Sequence, residues 1–277
     1  MDRLITFYNE KQNVAKNDSF SPSAGKPRLV IERFGEKIKI IDNWYPVSKE
    51  DLYMVHEKEH VDDIFSCKKN NGFDNKLKSV ADSLYWTIGS FYNASKYALN
   101  NKTVVFSPTS GFHHATYNRC MGFCTFNGLM VSAVLLKKEN IADKIGIIDF
   151  DMHWGNGTID IINKLNIDYV KHMAFSDQVG NDYNDWLRDL PIMLNNKFDN
   201  VDILFYQAGA DPHIDDPLGK QLTTEQMQLR DRIVFQFAKD NNIPIVWNLA
   251  GGYQEPIDKI IDLHENTLKE CFNVFKC

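Results

Sequence analysis

The sequence IDFDMHWGNGT, residues 148–158, places two carboxylates and an imidazole at alternate positions just after an apolar run. Because side chains alternate between the two faces of a strand, Asp149, Asp151 and His153 should share one face. Successive members lie about 6.6 Å apart along an extended chain, so one ion could reach Asp151 and His153 if the chain curves. We interpret these two side chains as metal ligands and Asp149 as a hydrogen-bond acceptor behind them.

Asp211, in the polar cluster YQAGADPHIDDPLG, supplies a plausible third ligand from a neighbouring strand. Two carboxylates and one imidazole suit a catalytic divalent ion with an open coordination position, and Zn²⁺ is the leading candidate. Iron(II) or cobalt could substitute, because neither geometry nor ligand type excludes them. The alternative for any single carboxylate is an N-cap or loop-bracing role, which accounts poorly for the whole set.

A tandem histidine pair, His113 and His114, follows another predicted strand in SGFHH. Two imidazoles beside a divalent ion provide a general base and a general acid or electrostatic partner at neutral pH. Tyr253 follows NLAGG, whose glycines allow a tight turn, and its hydroxyl could stabilise an oxyanion. Together with a metal ion that acidifies water, these groups predict amide or ester hydrolysis.

Short apolar runs alternate with amphipathic stretches along the chain. The runs predict strands at 103–107, 145–150, 168–172, 202–207 and 243–248. The amphipathic stretches predict helices at 79–99, 126–139, 157–165, 182–194, 223–240 and 256–270. This alternation predicts an α/β fold, with an open parallel sheet flanked by helices on both faces. The polar clusters follow strand ends, where ligands bind in such sheets.

The composition is that of an ordinary globular protein, with 43% hydrophobic and 25% charged residues among 277. No composition break divides the chain, so we expect one domain over 1–277, with residues 16–30 as a surface loop. The net charge of −6 argues against direct nucleic-acid binding. There is neither a membrane-length apolar stretch nor a signal peptide, so we expect a cytoplasmic protein without membrane attachment.

Five cysteines are too scattered for a disulfide framework, and we interpret them as structural or bystander thiols. They are Cys67, Cys120, Cys124, Cys271 and Cys277. Cys120 and Cys124 could form half of a metal site, but the sequence contains no second pair.

The blocks SGFHHA, GFCTFNG, IDFDMHWGNGT, AGADPHIDDPLG and NLAGGY resemble, in type and order, the signatures of the histone deacetylase superfamily. That superfamily includes bacterial acetoin-utilisation-type proteins and acetylpolyamine amidohydrolases. The resemblance implies an arginase/deacetylase-like fold, one zinc ion per chain and removal of an acyl group from an amine. Its implied substrates are acylated lysine in a protein or peptide, or a small acylated amine such as a polyamine.

The resemblance implies the same zinc ligands as the residue pattern. It also implies that His114 is the general base and acid, His113 its electrostatic partner and Tyr253 the hydroxyl that polarises the carbonyl. Asp149 would brace His113 and lie near a structural K⁺ ion that relatives bind.

Four further residues match positions that bind substrate in the family. Gly122 and Phe123 fall in the stretch that lines the acyl-lysine tunnel. Asp74 lies roughly where some members use a rim carboxylate to hold the substrate backbone, although it could equally be a turn residue. Phe175 is the candidate for the opposite tunnel wall, in a block that diverges from the family.

Asn156 stands where many members carry an aspartate that orients the second histidine. Because an amide cannot stabilise an imidazolium by charge, we expect His114 to be less basic than in aspartate-bearing relatives. The chain is also short beside many members, so we expect short rim loops and an open entrance that admits small amines or flexible tails.

Two other functions stay open at this point. An arginase-like ureohydrolase would share the sheet and its edge site, but it needs two bridged metals and more ligands than this pattern offers. A non-catalytic acyl-lysine-binding module predicts a damaged site, whereas Tyr253 and all three ligands are present.

Overall fold

The computed structural model describes residues 3–178 and 182–276 of the chain. Seven strands in this part form one sheet. They are β1 (Leu4–Phe7), β2 (Ile38–Ile41), β3 (Val104–Ser107), β4 (Ile145–Asp149), β5 (Val170–Ala174), β6 (Ile203–Gly209) and β7 (Ile245–Ala250). Their order is β2-β1-β3-β7-β6-β4-β5, and every neighbouring pair is parallel. The predicted parallel α/β sheet is therefore confirmed.

Helices connect these strands and cover both faces of the sheet. They are α1 (Lys26–Phe34), α2 (Lys49–Tyr53), α3 (Lys58–Phe65), α4 (Lys78–Asn101), α5 (Gly128–Lys138), α6 (Asn156–Lys164), α7 (Phe175–Gln178), α8 (Tyr183–Phe198), α9 (Thr224–Asp240) and α10 (Asp258–Phe275). Ile147 and Ile148 of β4 belong to two different buried apolar clusters, because successive side chains point to opposite faces. Burial on both faces explains why the strand sequences read as continuous apolar runs.

The predicted strands are all present, with bounds shifted by at most two residues. The structure adds β1, β2, the helices α1 to α3 and the short helix α7, which the sequence did not predict. β2 is an edge strand with one buried residue among its four, so its sequence shows little hydrophobic contrast. No described helix is long and apolar enough to cross a membrane. The single-domain organisation over 1–277 stays a prediction.

The segment 16–30 is not a surface loop throughout, because its second half forms a 3₁₀ turn and the start of α1 and is largely buried. Ser21 caps a 3₁₀ turn at Pro22–Ala24, where its side chain accepts a hydrogen bond from the Ser23 N–H. Lys26 begins α1 and is fully buried. Pro27 lies in the first turn of α1, where proline favours helix initiation. Read in this way, the same Ser, Pro and Gly content predicts a helix start.

Candidate metal centre and active site

Three side chains past the carboxyl ends of β4 and β6 could hold one metal ion. Asp151, His153 and Asp211 each offer a ligand atom, and these atoms lie within 4.8 Å of one another. Nδ1 of His153 is 3.2 Å from Oδ1 of Asp151 and 2.9 Å from Oδ2 of Asp211. Both carboxylates are buried, whereas the His153 side chain is 36% exposed. Two carboxylate oxygens and one imidazole nitrogen, open on one side, fit a catalytic zinc ion.

The chain curves after β4, and this curvature brings alternate residues together. The His153 N–H donates to Oδ1 of Asp151 at 2.9 Å, and the Met152 N–H donates to Oδ1 of Asp211 at 3.2 Å. Gly209 of β6 packs directly against this segment, since a Cβ there would lie 2.5 Å from the Asp151 Cα. The ligands therefore converge because the backbone folds around their carboxylates.

The three ligand groups perturb one another's pKa values. Burial raises the pKa of Asp211 to about 7, and the charge of Asp151 acts in the same direction. Burial opposes ionisation of Asp151, but the charge of His113 and the hydrogen bond to His153 lower its pKa to about 2. Hydrogen bonds to Asp151 and Asp211 raise the pKa of His153 to about 10. The group therefore retains protons that a bound metal ion would displace.

The tandem histidines lie beside this group, with their ring centroids 4.0 Å apart. Nδ1 of His113 donates to Oδ2 of Asp149 at 2.8 Å, and Nδ1 of His114 donates to Oδ1 of Asn156 at 2.6 Å. We place a hydrogen on Nδ1 of each ring because an acceptor oxygen lies within hydrogen-bond distance of that atom. The His114 ring centroid lies 5.8 Å from that of His153. The sequence-predicted pair and its two partners are thus assembled next to the metal ligands.

The two histidines have opposite pKa shifts. Burial lowers the pKa of His113, but the charges of Asp149 and Asp151 outweigh it and raise the pKa to about 9. Burial lowers the pKa of His114, and the charge of His113 lowers it further. At neutral pH, His113 is therefore protonated and His114 neutral, an arrangement suited to an electrostatic partner beside a general base.

Asp149 is fully buried, and nitrogen groups surround its carboxylate. Oδ2 accepts from His113, and Oδ1 accepts from Nε2 of Gln207 at 2.7 Å. Nε2 of His172 lies 3.7 Å from Oδ2. These contacts agree with a bracing role for Asp149. A structural K⁺ ion near Asp149 stays a prediction.

A tight turn after β7 carries Tyr253 to the site. Gly251 and Gly252 in this turn have φ values of +49° and +92°. A Cβ at Gly251 would lie 2.2 Å from the Asp211 carboxylate, so only glycine allows this approach. Asp216 accepts from the Tyr253 N–H at 2.8 Å, which holds the turn from one side.

The Tyr253 side chain is partly buried among charges and aromatic rings. Burial raises its pKa, and the charges of Asp151 and Asp211 add to this shift, so the hydroxyl stays protonated. The Phe123 ring centroid lies 5.7 Å from that of Tyr253, and the Phe20 ring stacks on Tyr253 at 5.8 Å. Tyr253 therefore keeps a hydroxyl that can donate a hydrogen bond, and its ring packs between those of Phe20 and Phe123.

The family model of the histone deacetylase domain matches residues 24–175 and 166–268, which is most of the chain. The chain belongs to the histone deacetylase family. Histone deacetylase 2 of Arabidopsis thaliana is 26% identical over 279 residues, covering 87% of this chain and 70% of that protein. A probable deacetylase of Methanothermobacter thermautotrophicus is 24% identical over 238 residues, covering 74% of this chain and 71% of that protein. The chain spans smaller shares, 57% and 37%, of two other relatives.

Two solved structures share the fold. The HDA15 HD domain has a TM-score of 0.76 at 20% identity, covering 98% of this chain and 95% of that domain. The acetylpolyamine aminohydrolase from Burkholderia pseudomallei has a TM-score of 0.73 at 15% identity, covering 98% of this chain and 99% of that protein. These likenesses confirm the arginase/deacetylase-like architecture.

Gly122 and Phe123, the residues predicted to line the tunnel, lie against His114 and Tyr253. Gly122 has a φ of +50°, and a Cβ there would lie 2.4 Å from Cδ2 of His114. Phe123 contacts the Tyr253 ring and lies 6.3 Å, centroid to centroid, from Phe73. Their placement suits a tunnel wall, and their substrate-binding role stays a prediction.

Asp74 is exposed in a turn next to Phe73. Its φ is +59°, and its Oδ1 accepts from Nδ2 of Asn70 at 2.8 Å. These contacts are those of a turn residue. The contact between the neighbouring Phe73 and Phe123 places this turn next to the predicted tunnel residues. A role in holding substrate stays a prediction.

Phe175 does not line an open tunnel, and that prediction is wrong. Its side chain is 1% exposed, and its ring centroid lies 5.0 Å from Trp186 and 6.3 Å from Tyr183. Phe175 directly follows the edge strand β5, and its side chain packs into the core that covers this end of the sheet.

Three buried polar residues that support the site were missed in the sequence. They are Lys26, Gln207 and Asp216. Nζ of Lys26 donates to the Gly251 carbonyl oxygen at 2.5 Å, and burial lowers the pKa of this lysine to about 8. Gln207 and Asp216 lie within the quoted block around Asp211, so that block contained their signal. Nothing near Lys26 in the sequence indicates its partner.

The cysteines do not form a metal site among the described residues. Sγ of Cys124 donates to the backbone carbonyl oxygen of Gly122 at 3.4 Å. Sγ of Cys120 donates to the backbone carbonyl oxygen of Asn70 at 3.1 Å. The metal-ligating group found in the described chain contains neither thiol. Cys277 lies outside the described residues.

Proposed function

We propose that this protein is a zinc-dependent amidohydrolase that removes acetyl or other acyl groups from amines. Its substrates would be acylated lysine side chains in proteins or peptides, or small acylated amines such as polyamines. The observation that carries the proposal is the convergence of the group Asp151, His153 and Asp211 with the pair His113 and His114. Membership of the histone deacetylase family supports the same class of reaction.

In this proposal, a zinc ion held by Asp151, His153 and Asp211 would acidify water and polarise the substrate carbonyl. His114 takes the proton from the attacking water, because its Nε2 is free to accept while Nδ1 donates to Asn156. The same nitrogen then delivers the proton to the leaving amine. One residue can serve both steps, since its depressed pKa keeps it neutral before the attack.

His113 and Tyr253 stabilise the negative charge that develops during the attack. The Asp149 carboxylate accepts the Nδ1–H of His113 and raises the pKa of this histidine, which favours its positively charged form. Tyr253 donates its hydroxyl hydrogen to the oxyanion, and its raised pKa prevents it from ionising beside two carboxylates. The apolar rings of Phe20 and Phe123 favour entry of an uncharged acyl group.

The test is a panel of acetylated and longer-acylated lysine peptides, free acetyl-lysine and acetylpolyamines, assayed with zinc-loaded protein. Tyr253→Phe should fold and bind zinc but lose activity by about 100- to 1000-fold, the usual effect of removing one oxyanion donor. Equal turnover by this variant would contradict the oxyanion assignment. A strict requirement for extended peptide contacts would contradict acceptance of small amines.

Metal counting separates this proposal from an arginase-like ureohydrolase. The described residues contain one group of three ligands, which suits a single ion. Elemental analysis should therefore find one zinc per chain, whereas two bridged metals and hydrolysis of a guanidino substrate would favour the ureohydrolase.

A further inference from the structure

Arg230 of α9 is a fully buried cation directly beneath the metal ligands. Its Nη1 donates to two backbone carbonyl oxygens, that of Phe150 at 3.1 Å and that of Gly209 at 3.0 Å. Phe150 immediately precedes Asp151, and Gly209 lies two residues before Asp211. One nitrogen atom therefore links the two chain segments that supply the metal ligands.

This link occurs where the sheet itself no longer joins the segments. The paired register of β4 and β6 ends at Asp149 and Gln207, and the Phe150 N–H donates to the Gln207 carbonyl oxygen at 3.0 Å. Beyond this bond, the chain after β4 enters its ligand-bearing loop, whereas β6 continues beside β7 as far as Gly209 before its own loop begins. Arg230 provides the next connection between the two segments, because it binds the carbonyl oxygens of Phe150 and Gly209 just before the metal ligands.

Asp231 neutralises the guanidinium and fixes its orientation. Its Oδ1 accepts from Nε of Arg230 at 2.8 Å and also from the Tyr206 hydroxyl. Its Oδ2 accepts from Oγ1 of Thr267 on α10 at 2.6 Å. A planar guanidinium held in this way is pre-organised to bind two carbonyls, which a flexible ammonium cannot do equally well.

We infer that Arg230 is a positioning residue for the metal centre, which sets the spacing between Asp151 and Asp211 through the two carbonyls that it binds. Asp231 acts through Arg230 as its counter-ion. This inference rests on the zinc ligands of the proposed function. It concerns metal affinity, so it can be tested whether or not the protein proves to be a deacylase.

The test measures the zinc dissociation constant by competition with a chelator, together with the melting temperature of each variant. Arg230→Met should remain folded and bind zinc about 10- to 100-fold more weakly, the usual effect of losing a group that orients metal ligands. Phe235→Leu is the matched control, because Phe235 is buried on the same helix and packs against Tyr206 but has no group that can donate a hydrogen bond to either carbonyl. It should lower the melting temperature but leave zinc affinity within twofold.

A second control separates charge from position. Arg232→Met removes a neighbouring arginine that is 54% exposed and touches neither ligand segment through a hydrogen bond, so zinc affinity should stay within twofold of the wild type, although the melting temperature should fall because buried Glu270 loses its partner. Folded Arg230→Met with zinc affinity within twofold of the wild type would overturn the inference. Equal losses of affinity in Arg230→Met and Phe235→Leu would do so too, because general destabilisation would then explain both.

Should Arg230→Met fail to fold, Arg230→Lys carries the test. This variant keeps the positive charge beside Asp231 but lacks the guanidinium fork, so we expect weaker zinc binding than in the wild type. Zinc affinity within twofold of the wild type in Arg230→Lys would then reject the positioning role. Absence of acyl-amine hydrolysis by the wild type, with zinc affinity still lost in the Arg230 variants, would reject only the proposed function.

Discussion

Asn156 provides His114 with a hydrogen-bond acceptor that carries no charge. The short contact between Nδ1 and Oδ1 fixes the imidazole, but this acceptor adds no negative charge to stabilise the imidazolium. Burial and the protonated His113 both depress the pKa of His114. At the scale of single residues, Asn156 therefore orients His114, the proposed general base, without placing a negative charge beside it.

Asn156→Asp should restore that charge and raise the pKa of His114. As the proposed general base, His114 must be neutral to accept a proton. With a higher pKa it becomes protonated at a higher pH as the pH falls, so the acid limb of the kcat/KM profile should move up by about one pH unit. Asn163→Asp, at an exposed position on the same helix, makes the same charge change away from the site. An acid limb that moves equally in both variants, or in neither, would contradict this account.

At the scale of elements, the loop between β3 and α5 shapes the catalytic side of the site. It carries both histidines and then returns so that Gly122 packs on the His114 ring. This return requires a positive φ and no side chain, and only glycine meets both conditions. The turn after β7 also needs a glycine with a positive φ, because Gly251 packs directly against the Asp211 carboxylate. Close backbone approach is thus how these loops position imidazole and carboxylate groups.

Gly122→Ala should displace His114, because the new methyl carbon would lie 2.4 Å from the ring. We expect kcat to fall by about 100-fold, the scale of loss for a misplaced catalytic group, while zinc affinity is retained. Gly35→Ala is the control: Gly35 also has a positive φ, of +51°, but no atom lies within 4 Å of its added Cβ. Similar activity losses in both variants would point to backbone strain rather than the His114 contact.

At the scale of the whole molecule, the metal group ties the sheet to its surrounding helices. α1 supplies Lys26 to the turn after β7, and α9 supplies Arg230 to the ends of β4 and β6. Asp211 retains a raised pKa because it is buried beside Asp151. A bound divalent ion would relieve this repulsion, so metal binding and global stability should be linked.

Zinc removal by a chelator should therefore lower the melting temperature. Binding that favours only the folded state contributes about 4 kcal/mol when free zinc is a thousandfold above its dissociation constant, which corresponds to several degrees. Calorimetry of wild type and Asp211→Asn with and without zinc checks this effect. The variant should show little zinc-dependent shift, and a wild type whose melting temperature ignores zinc would contradict the metal assignment.

The spacing of residues along the chain was sufficient to predict the parallel sheet and the main site. Asp151, His153 and Asp211 could be identified because polar residues after buried strands meet at one edge of a parallel sheet. The histidine pair and Tyr253 occur in compact blocks after predicted strands, so local spacing indicated them as well, whereas Asn156 was recognised only through the family resemblance. Short or edge elements such as β2 lacked this contrast and were missed.

Contacts between distant segments could be read only from the folded molecule. Lys26 and Gly251 are 225 positions apart, and Arg230 binds a carbonyl 80 positions away, so no local pattern links them. Phe175 shows the converse case, since its block was read as tunnel wall although its ring packs in the core. Local periodicity encodes which face of a strand a side chain occupies. Long-range packing determines which groups meet there, because it depends on the positions of all the elements together.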